Sequence, residues 1–164
     1  VELPLRSLEQ LMPFATAGEL IAKKRQPLVA VSPGTTVLAA LREMKEKHIA
    51  FLPVLDGEKL VGVLAERDIA CGVILEQRSA KDTAVRDIMT TRVHTVAPDS
   101  KVPECVMLMH REGIRHLPVV SAGKVQGVLS VRDLMGSLIE RHERLLRRLQ
   151  EERLTLLFPD PSSY

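Results

Sequence analysis

The sequence predicts an α/β fold: two β-α-β-β-α repeats packed with pseudo-twofold symmetry, plus an extended C-terminal helix. Three observations predict it. The stretch 31–68 recurs without a gap at 96–133, an offset of about 65 positions that is longer than the short solenoid periods. Within each copy, short β-rich runs flank a stretch of helical periodicity. Beyond Gly136 a last helical pattern overruns the repeat. The copies share Pro33/Pro98, Val37/Val102, Met44/Met109, Ile49/Ile114, Lys59/Lys124 and Arg67-Asp68/Arg132-Asp133. They also share Leu52-Pro53-Val54/Leu117-Pro118-Val119 and Gly62-Val63-Leu64/Gly127-Val128-Leu129. Duplication gives two similar surfaces, and a cleft between them suits a ligand.

The elements follow in order. Residues up to Met12 carry weak helical patterning that Pro13 interrupts. Thr16-Ala17-Gly18-Glu19 is a capping-box pattern opening a short helix to about Lys24. Residues 83–87 open a matching short helix, so each repeat is expected to carry its own lead-in. A strand then covers 28–31 or 93–96. Pro33 with Thr35 or Thr36, and Pro98 with Ser100, mark the next helix start. Val37, Leu38, Leu41, Met44 and His48 recur at helical spacing, as do Val102, Val106 and Met109. A buried strand covers 51–55 or 116–120. Asp56-Gly57 and Ala122-Gly123 provide turns to partner strands at 59–64 and 124–129. A second helix starts near Glu66 or Val131.

Residues 76–83 read as a polar linker. The final helix runs to about Leu157, with Leu138, Leu145, Leu149 and Leu156 in one rough stripe. Glu140/Arg144 and Glu143/Arg147 sit at favourable i, i+4 spacing. Pro159 and Pro161 end it. The expected organisation is an N-terminal segment at 1–15, repeats at 16–82 and 83–140, and an extension at 141–164.

Composition narrows the function. The 164 residues carry a formal net charge of +2, no Trp, one Tyr and three Phe. Single-stranded nucleic acid is usually stacked on aromatic rings, and duplex binding leaves a basic footprint. Neither is present, so no nucleic acid is expected. No apolar run is long enough to span a bilayer, so no membrane is expected either. Cys71 and Cys105 form no C-x-x-C pair and read as buried reduced thiols of a cytoplasmic protein. The five His residues are scattered away from ligand spacing, so no metal site is expected. G-x-S-x-G, G-x-G-x-x-G and P-loop patterns are missing, so no catalytic residues and no enzyme activity are expected.

Val85-x-Asp87-Ile88-Met89-Thr90, Val93-x-Thr95-Val96-x-Pro98, Ile114-x-x-Leu117-Pro118-Val119 and Gly127-Val128-Leu129-Ser130-x-x-Asp133 together carry a family likeness. The unit resembles the cystathionine-β-synthase (CBS) domain, and the pair resembles a Bateman module, over roughly residues 16–139. The resemblance implies a regulatory, non-catalytic module that binds an adenosine-containing ligand between the repeats. AMP, ADP and ATP are the foremost candidates, followed by NAD(H) and S-adenosylmethionine, and no cofactor is required. It also implies a homodimer and an unidentified regulated protein. The chain is then a stand-alone sensor or the regulatory part of a larger enzyme or transporter. A ligand-free interaction module is the alternative.

Physical chemistry suits the residues to these roles. Asp133 and Asp68, at helix starts, can accept two hydrogen bonds from a ribose diol. Ser130 and the free N–H groups of a helix start favour phosphate. Arg115 can grip phosphate bidentately, and His116 adds charge when protonated. Adenine is expected to lie between aliphatic side chains and bond to backbone between Val93 and Thr95. Each residue also has a plainer use: Asp133 and Ser130 as caps, Arg115 as an edge charge, His116 as packing. Repeat one has Ala65 in place of Ser130, and Ala50-Phe51 in place of Arg115-His116. Two unequal clefts follow, with the competent one at Asp133.

Overall fold

The computed structural model describes residues 13–157. The patterning before Pro13, the side chain of Leu156, and Pro159 and Pro161 lie outside the described residues. The helices are α1 (Ala17–Lys24), α2 (Val37–Lys47), α3 (Glu66–Ile69), α4 (Val102–Glu112) and α5 (Val131–Leu157). The strands are β1 (Phe51–Asp56), β2 (Lys59–Ala65), β3 (His116–Ser121) and β4 (Lys124–Ser130). A π-helical turn, Ala70–Leu75, continues α3, and a 3₁₀ turn spans Val85–Asp87.

β1 pairs with β2 and β3 with β4, giving two antiparallel hairpins in matching register. Leu52 faces Leu64, and Leu117 faces Leu129. Each pairing carries one irregularity, after Val54 or Val119. β2 and β4 approach one another across the pseudo-twofold axis. The hairpin turns are also tied there, Lys124 Nζ donating to Glu58 Oε1 at 2.7 Å.

The strands expected at 28–31 and 93–96 shrink to single parallel bridges, Val31 to Val54 and Val96 to Val119. Prolines explain this. Val31 N–H donates to Pro53 O at 3.0 Å and Leu55 N–H to Val31 O at 2.8 Å. The next rung on one side needs an N–H from Pro53; the next on the other needs one from Pro33. Neither has one. Pro118 and Pro98 cut the second ladder in the same way, leaving bonds from Val96 to Pro118 and from Val120 to Val96.

The lead-ins are exchanged, which corrects the expectation that each repeat carries its own. Ala17 and Leu20 of α1 are buried in the core of repeat two, with Val102, Cys105, Met109, Leu117, Val119, Leu129 and Leu134. Backbone bonds from Ala17 to Ser100, Gly18 to Pro98 and Val102 to Ala15 lock α1 there. Val85 is buried in the core of repeat one, with Val31, Val37, Ala40, Met44, Leu52, Val54, Leu64, Ile69 and Val73. Val37 N–H donates to Thr83 O, Leu38 N–H to Ala80 O and Val85 N–H to Thr35 O. The polar linker thus supplies acceptors for N–H groups that open α2. Each lead-in sits on a glycine of the hairpin it covers. A Cβ on Gly127 would lie 2.8 Å from Ile21, and one on Gly62 would lie 2.7 Å from Met89.

Thr16 forms the expected capping box with Glu19, but residues 83–87 give only the 3₁₀ turn. Thr36, not Thr35, caps α2 by accepting from Ala39 N–H at 3.2 Å. Lys101, not Ser100, is the α4 cap residue; it has no side-chain cap bond, and its N–H donates to Glu104 at 2.9 Å. His48 leaves the apolar face because it is the exposed left-handed cap of α2 (φ 53°). Cys105 is buried as expected, whereas Cys71 is exposed. Burial pushes the Cys105 thiol up, helped by Glu104. On α5, Leu138 packs on the second core while Leu149 is exposed. Arg147 pairs with Glu143 at 3.9 Å, whereas Glu140 turns to Lys23 of α1 at 3.3 Å.

Candidate functional site

Between the repeats lies a cavity of about 950 Å³, within the range that holds a small organic ligand. Repeat two contributes Arg115, His116, Ser130, Arg132 and Asp133 to its wall. Repeat one contributes Ile49, Ala50, Phe51 and Glu66. The exchanged lead-in adds Ile21 and Lys24, and residues 26–29 close the wall. The cavity therefore needs both repeats and the crossing of the chain between them.

Asp133 stands in the first turn of α5, and Ser130 ends β4. The Asp133 Oδ2 atom accepts from Ser130 N–H at 2.7 Å, Ser130 Oγ–H at 2.8 Å and Lys24 Nζ at 2.8 Å. Asp133 N–H points back to Ser130 Oγ at 3.3 Å. Burial is the largest single influence on this carboxyl and pushes it up. The bonds from Lys24 and Ser130, with the Lys24 charge, outweigh burial and hold it below the usual aspartate value. Ser130 thus caps the helix and orients Asp133 rather than lying idle for a phosphate. Every one of these bonds to the carboxylate falls on Oδ2, so Oδ1 keeps its acceptor capacity.

His116 is half-buried at the start of β3, where its ring stacks on that of Phe51, with centroids 4.8 Å apart and planes 14° apart. Burial pushes its pKa below the ordinary value, and Arg115 and Lys24 add to this against a smaller pull from Asp133. The imidazole is therefore neutral around pH 7, and any added charge arises only further into acid than its type suggests. Arg115, one residue earlier, is exposed and lines the same cavity.

Val93 and Thr95 do not line this cavity; residues 26–29 stand where they were expected. The exchange of lead-ins causes the displacement. The chain just ahead of 93–95 belongs beside the other carboxylate, where Thr90 Oγ–H donates to Asp68 Oδ1 at 3.1 Å. Asp68 Oδ2 accepts from Ala65 N–H at 2.7 Å, and no cation among the described residues pairs with it. Asp68 and Asp133 are thus helix-start carboxylates in different settings. Lys24 and residues 26–29 escaped the sequence reading because their contacts are non-local. The available clue was that the capping-box lead-in, placed on repeat two, ends at Lys24 just before Pro27.

Among the described residues, no group of three or more His, Cys, Asp or Glu gathers to hold a metal. No described helix is long and apolar enough to cross a membrane.

Two quasi-equivalent hairpin-and-helix units enclosing a shared cavity define a paired-repeat ligand-binding module. The family model of the CBS domain matches residues 17–73 and 85–140, and the chain belongs to that family as a tandem Bateman module. An uncharacterized 17.7 kDa protein of Acidianus ambivalens is 36% identical over 124 residues, covering 74% of each chain. The mitochondrial CBS domain-containing protein CBSX3 of Arabidopsis thaliana is 34% identical over 119 residues, covering 70% of this chain and 58% of that one. An inosine-5'-monophosphate dehydrogenase of Methanocaldococcus jannaschii is 31% identical over 130 residues, 78% of this chain but only 24% of the enzyme. A crystal structure of the CBS domain NE2398 superposes with a TM-score of 0.73 at 37% identity, covering 77% of this chain and 98% of that one. The CBS domain pair of protein MJ0100, solved with 5'-methylthioadenosine and S-adenosyl-L-methionine, shares the fold with a TM-score of 0.70 at 22% identity, covering 79% of this chain and 99% of that one. CBS domain pairs are regulatory, ligand-binding modules.

Proposed function

We propose that this chain is a non-catalytic sensor that reversibly binds an adenine nucleotide or related adenosyl ligand around Asp133. The observation that carries this is the ionised, half-buried Asp133 carboxylate on the wall of a ligand-sized cavity, with Arg115 and Arg132 beside it. The carboxylate suits a ribose diol, the arginines suit phosphate, and aliphatic Ile21, Leu28 and Val29 suit the faces of a base. The adenosyl ligands of the MJ0100 pair support the class of ligand. Binding energy spent in a cavity built from both repeats biases their arrangement and thereby a partner. The same reading makes the module a cytoplasmic homodimer acting on a regulated protein, or the regulatory part of a longer enzyme or transporter.

The test is a thermal-shift panel of AMP, ADP, ATP, NAD(H) and S-adenosylmethionine, followed by titration of the responding ligand. At about 100 times its dissociation constant a true ligand adds roughly 2.7 kcal/mol of stability. Asp133→Asn is expected to weaken binding by about tenfold or more, as loss of a charge-assisted bond does, and Asp68→Asn to weaken it less. Greater damage from Asp68→Asn would move the site to the other cleft. A flat panel would favour the second reading, a ligand-free interaction module, which the prior engagement of Asp133 by Lys24 supports.

A further inference from the structure

Lys24 is the last residue of α1, the helix that crosses over to pack on repeat two. Its ammonium donates to Asp133 Oδ2 at 2.8 Å and to Val128 O at 3.0 Å. The pair is largely withdrawn from water, with the Lys24 side chain 30% exposed and that of Asp133 21% exposed. Both residues also line a second, smaller cleft of about 280 Å³, which includes Leu20, Gly136 and Glu140. The ion pair is therefore a partition between two cavities, and it holds the Oδ2 atom of Asp133 while Oδ1 stays open.

A sugar diol that donates one hydrogen bond to each oxygen of Asp133 finds Oδ1 open but competes with this ammonium for Oδ2. Once displaced, Lys24 keeps one neutral carbonyl partner and faces Arg115 and Arg132 across the same cavity. Glu66 is the other carboxylate on that wall. Breaking a partly buried pair and leaving one charge uncompensated is costly. A ligand that brings its own anion supplies a replacement counter-charge within the cavity. A neutral nucleoside supplies none, and S-adenosylmethionine offsets its one carboxylate with an ammonium and a sulfonium, so it adds a net positive charge.

We infer that Lys24 is a specificity-determining residue that reserves the cavity for anionic adenosine ligands, releasing Asp133 only in exchange for a phosphate. This rests on the adenosyl-sensor reading and goes beyond it by naming the class of ligand excluded: uncharged nucleosides and sulfonium adenosyl compounds. Among the described residues the Asp68 side has no such device, since Asp68 receives a threonine hydroxyl in place of an ammonium.

Isothermal titration of AMP, adenosine and S-adenosylmethionine into the wild-type protein, Lys24→Met and Lys24→Arg tests it. The wild type is expected to prefer AMP to adenosine by about tenfold or more, with S-adenosylmethionine weakest. Lys24→Met is expected to lose AMP affinity while binding adenosine at least as tightly as before, so that the preference collapses. Lys24→Arg is expected to retain it. A wild type that takes adenosine as tightly as AMP overturns the role of Lys24, and does so without any variant. An AMP-to-adenosine ratio unchanged in folded Lys24→Met overturns it as well; both outcomes leave the sensor reading standing. Failure of the wild type to bind any of the three, and ADP, ATP and NAD(H) as well, ends both.

Discussion

Phe51 of one repeat and His116 of the other occupy equivalent positions, and their rings stack on each other 4.8 Å apart. The pseudo-twofold axis thus runs through an unlike pair, aromatic on one side and imidazole on the other. This contact makes the two halves of the cavity differ in charge although their backbones match. It also buries His116 and keeps it neutral.

Phe51→Ala should therefore let water reach His116. Burial is the largest cause of its lowered pKa, so the value is expected to rise toward the ordinary 6.5. Proton NMR of the imidazole across a pH series reads this directly. An unchanged or lower value would show that the stacked ring is not what depresses it.

Acid should destabilise the fold through two groups of the same cavity. His116 has a folded pKa below its unfolded value, so the unfolded chain binds the extra proton first. Stability then falls as pH drops below about 6.5 and levels off beneath the folded pKa. Asp133 is also lowered, so its contribution is full above its unfolded value of 3.8 and is lost as pH falls through the lower folded one. Melting temperature against pH should show two successive declines. His116→Gln should remove the upper one and leave the lower.

The exchanged lead-ins can be tested by steric coupling. A methyl at Gly127 would strike Ile21 at 2.8 Å, so Gly127→Ala is expected to cost about 1–3 kcal/mol by overpacking. In an Ile21→Ala background the same change should cost clearly less. A double-mutant cycle from urea unfolding measures the difference. Additive costs would mean that α1 does not sit on this hairpin.

Leu52 and Leu117 are fully buried and hold equivalent places in separate cores. Leu52→Ala and Leu117→Ala are each expected to cost about 2–5 kcal/mol. Chemical denaturation of each variant tests this. A near-neutral result for one would show that its core collapses around the gap.

The hairpins, the main helices and the two carboxylates were legible because the duplication repeats them in register. Leu52-Pro53-Val54 and Leu117-Pro118-Val119 each announce a buried strand, and helical spacing marks α2 and α4. The partner of each lead-in was not legible. Thr16 to Glu19 reveals a helix start through local chemistry, but nothing local says which core Leu20 enters. That one ambiguity put the expected base contacts at 93–95, although residues 26–29 line the cavity at Asp133, and it hid Lys24. The missing third strands were legible in principle, since Pro33, Pro53, Pro98 and Pro118 were all in view; their effect emerges only when two segments are laid side by side.

Those prolines have a consequence for how the protein behaves in a crowded solution. The outer flank of β1 or β3 accepts one rung from its own chain and offers a gap on either side of it. A stray strand from another molecule would meet the donor missing at Pro53 or Pro118, so this flank makes a poor template for fibre growth. The interruption that shortens each sheet also guards its open side.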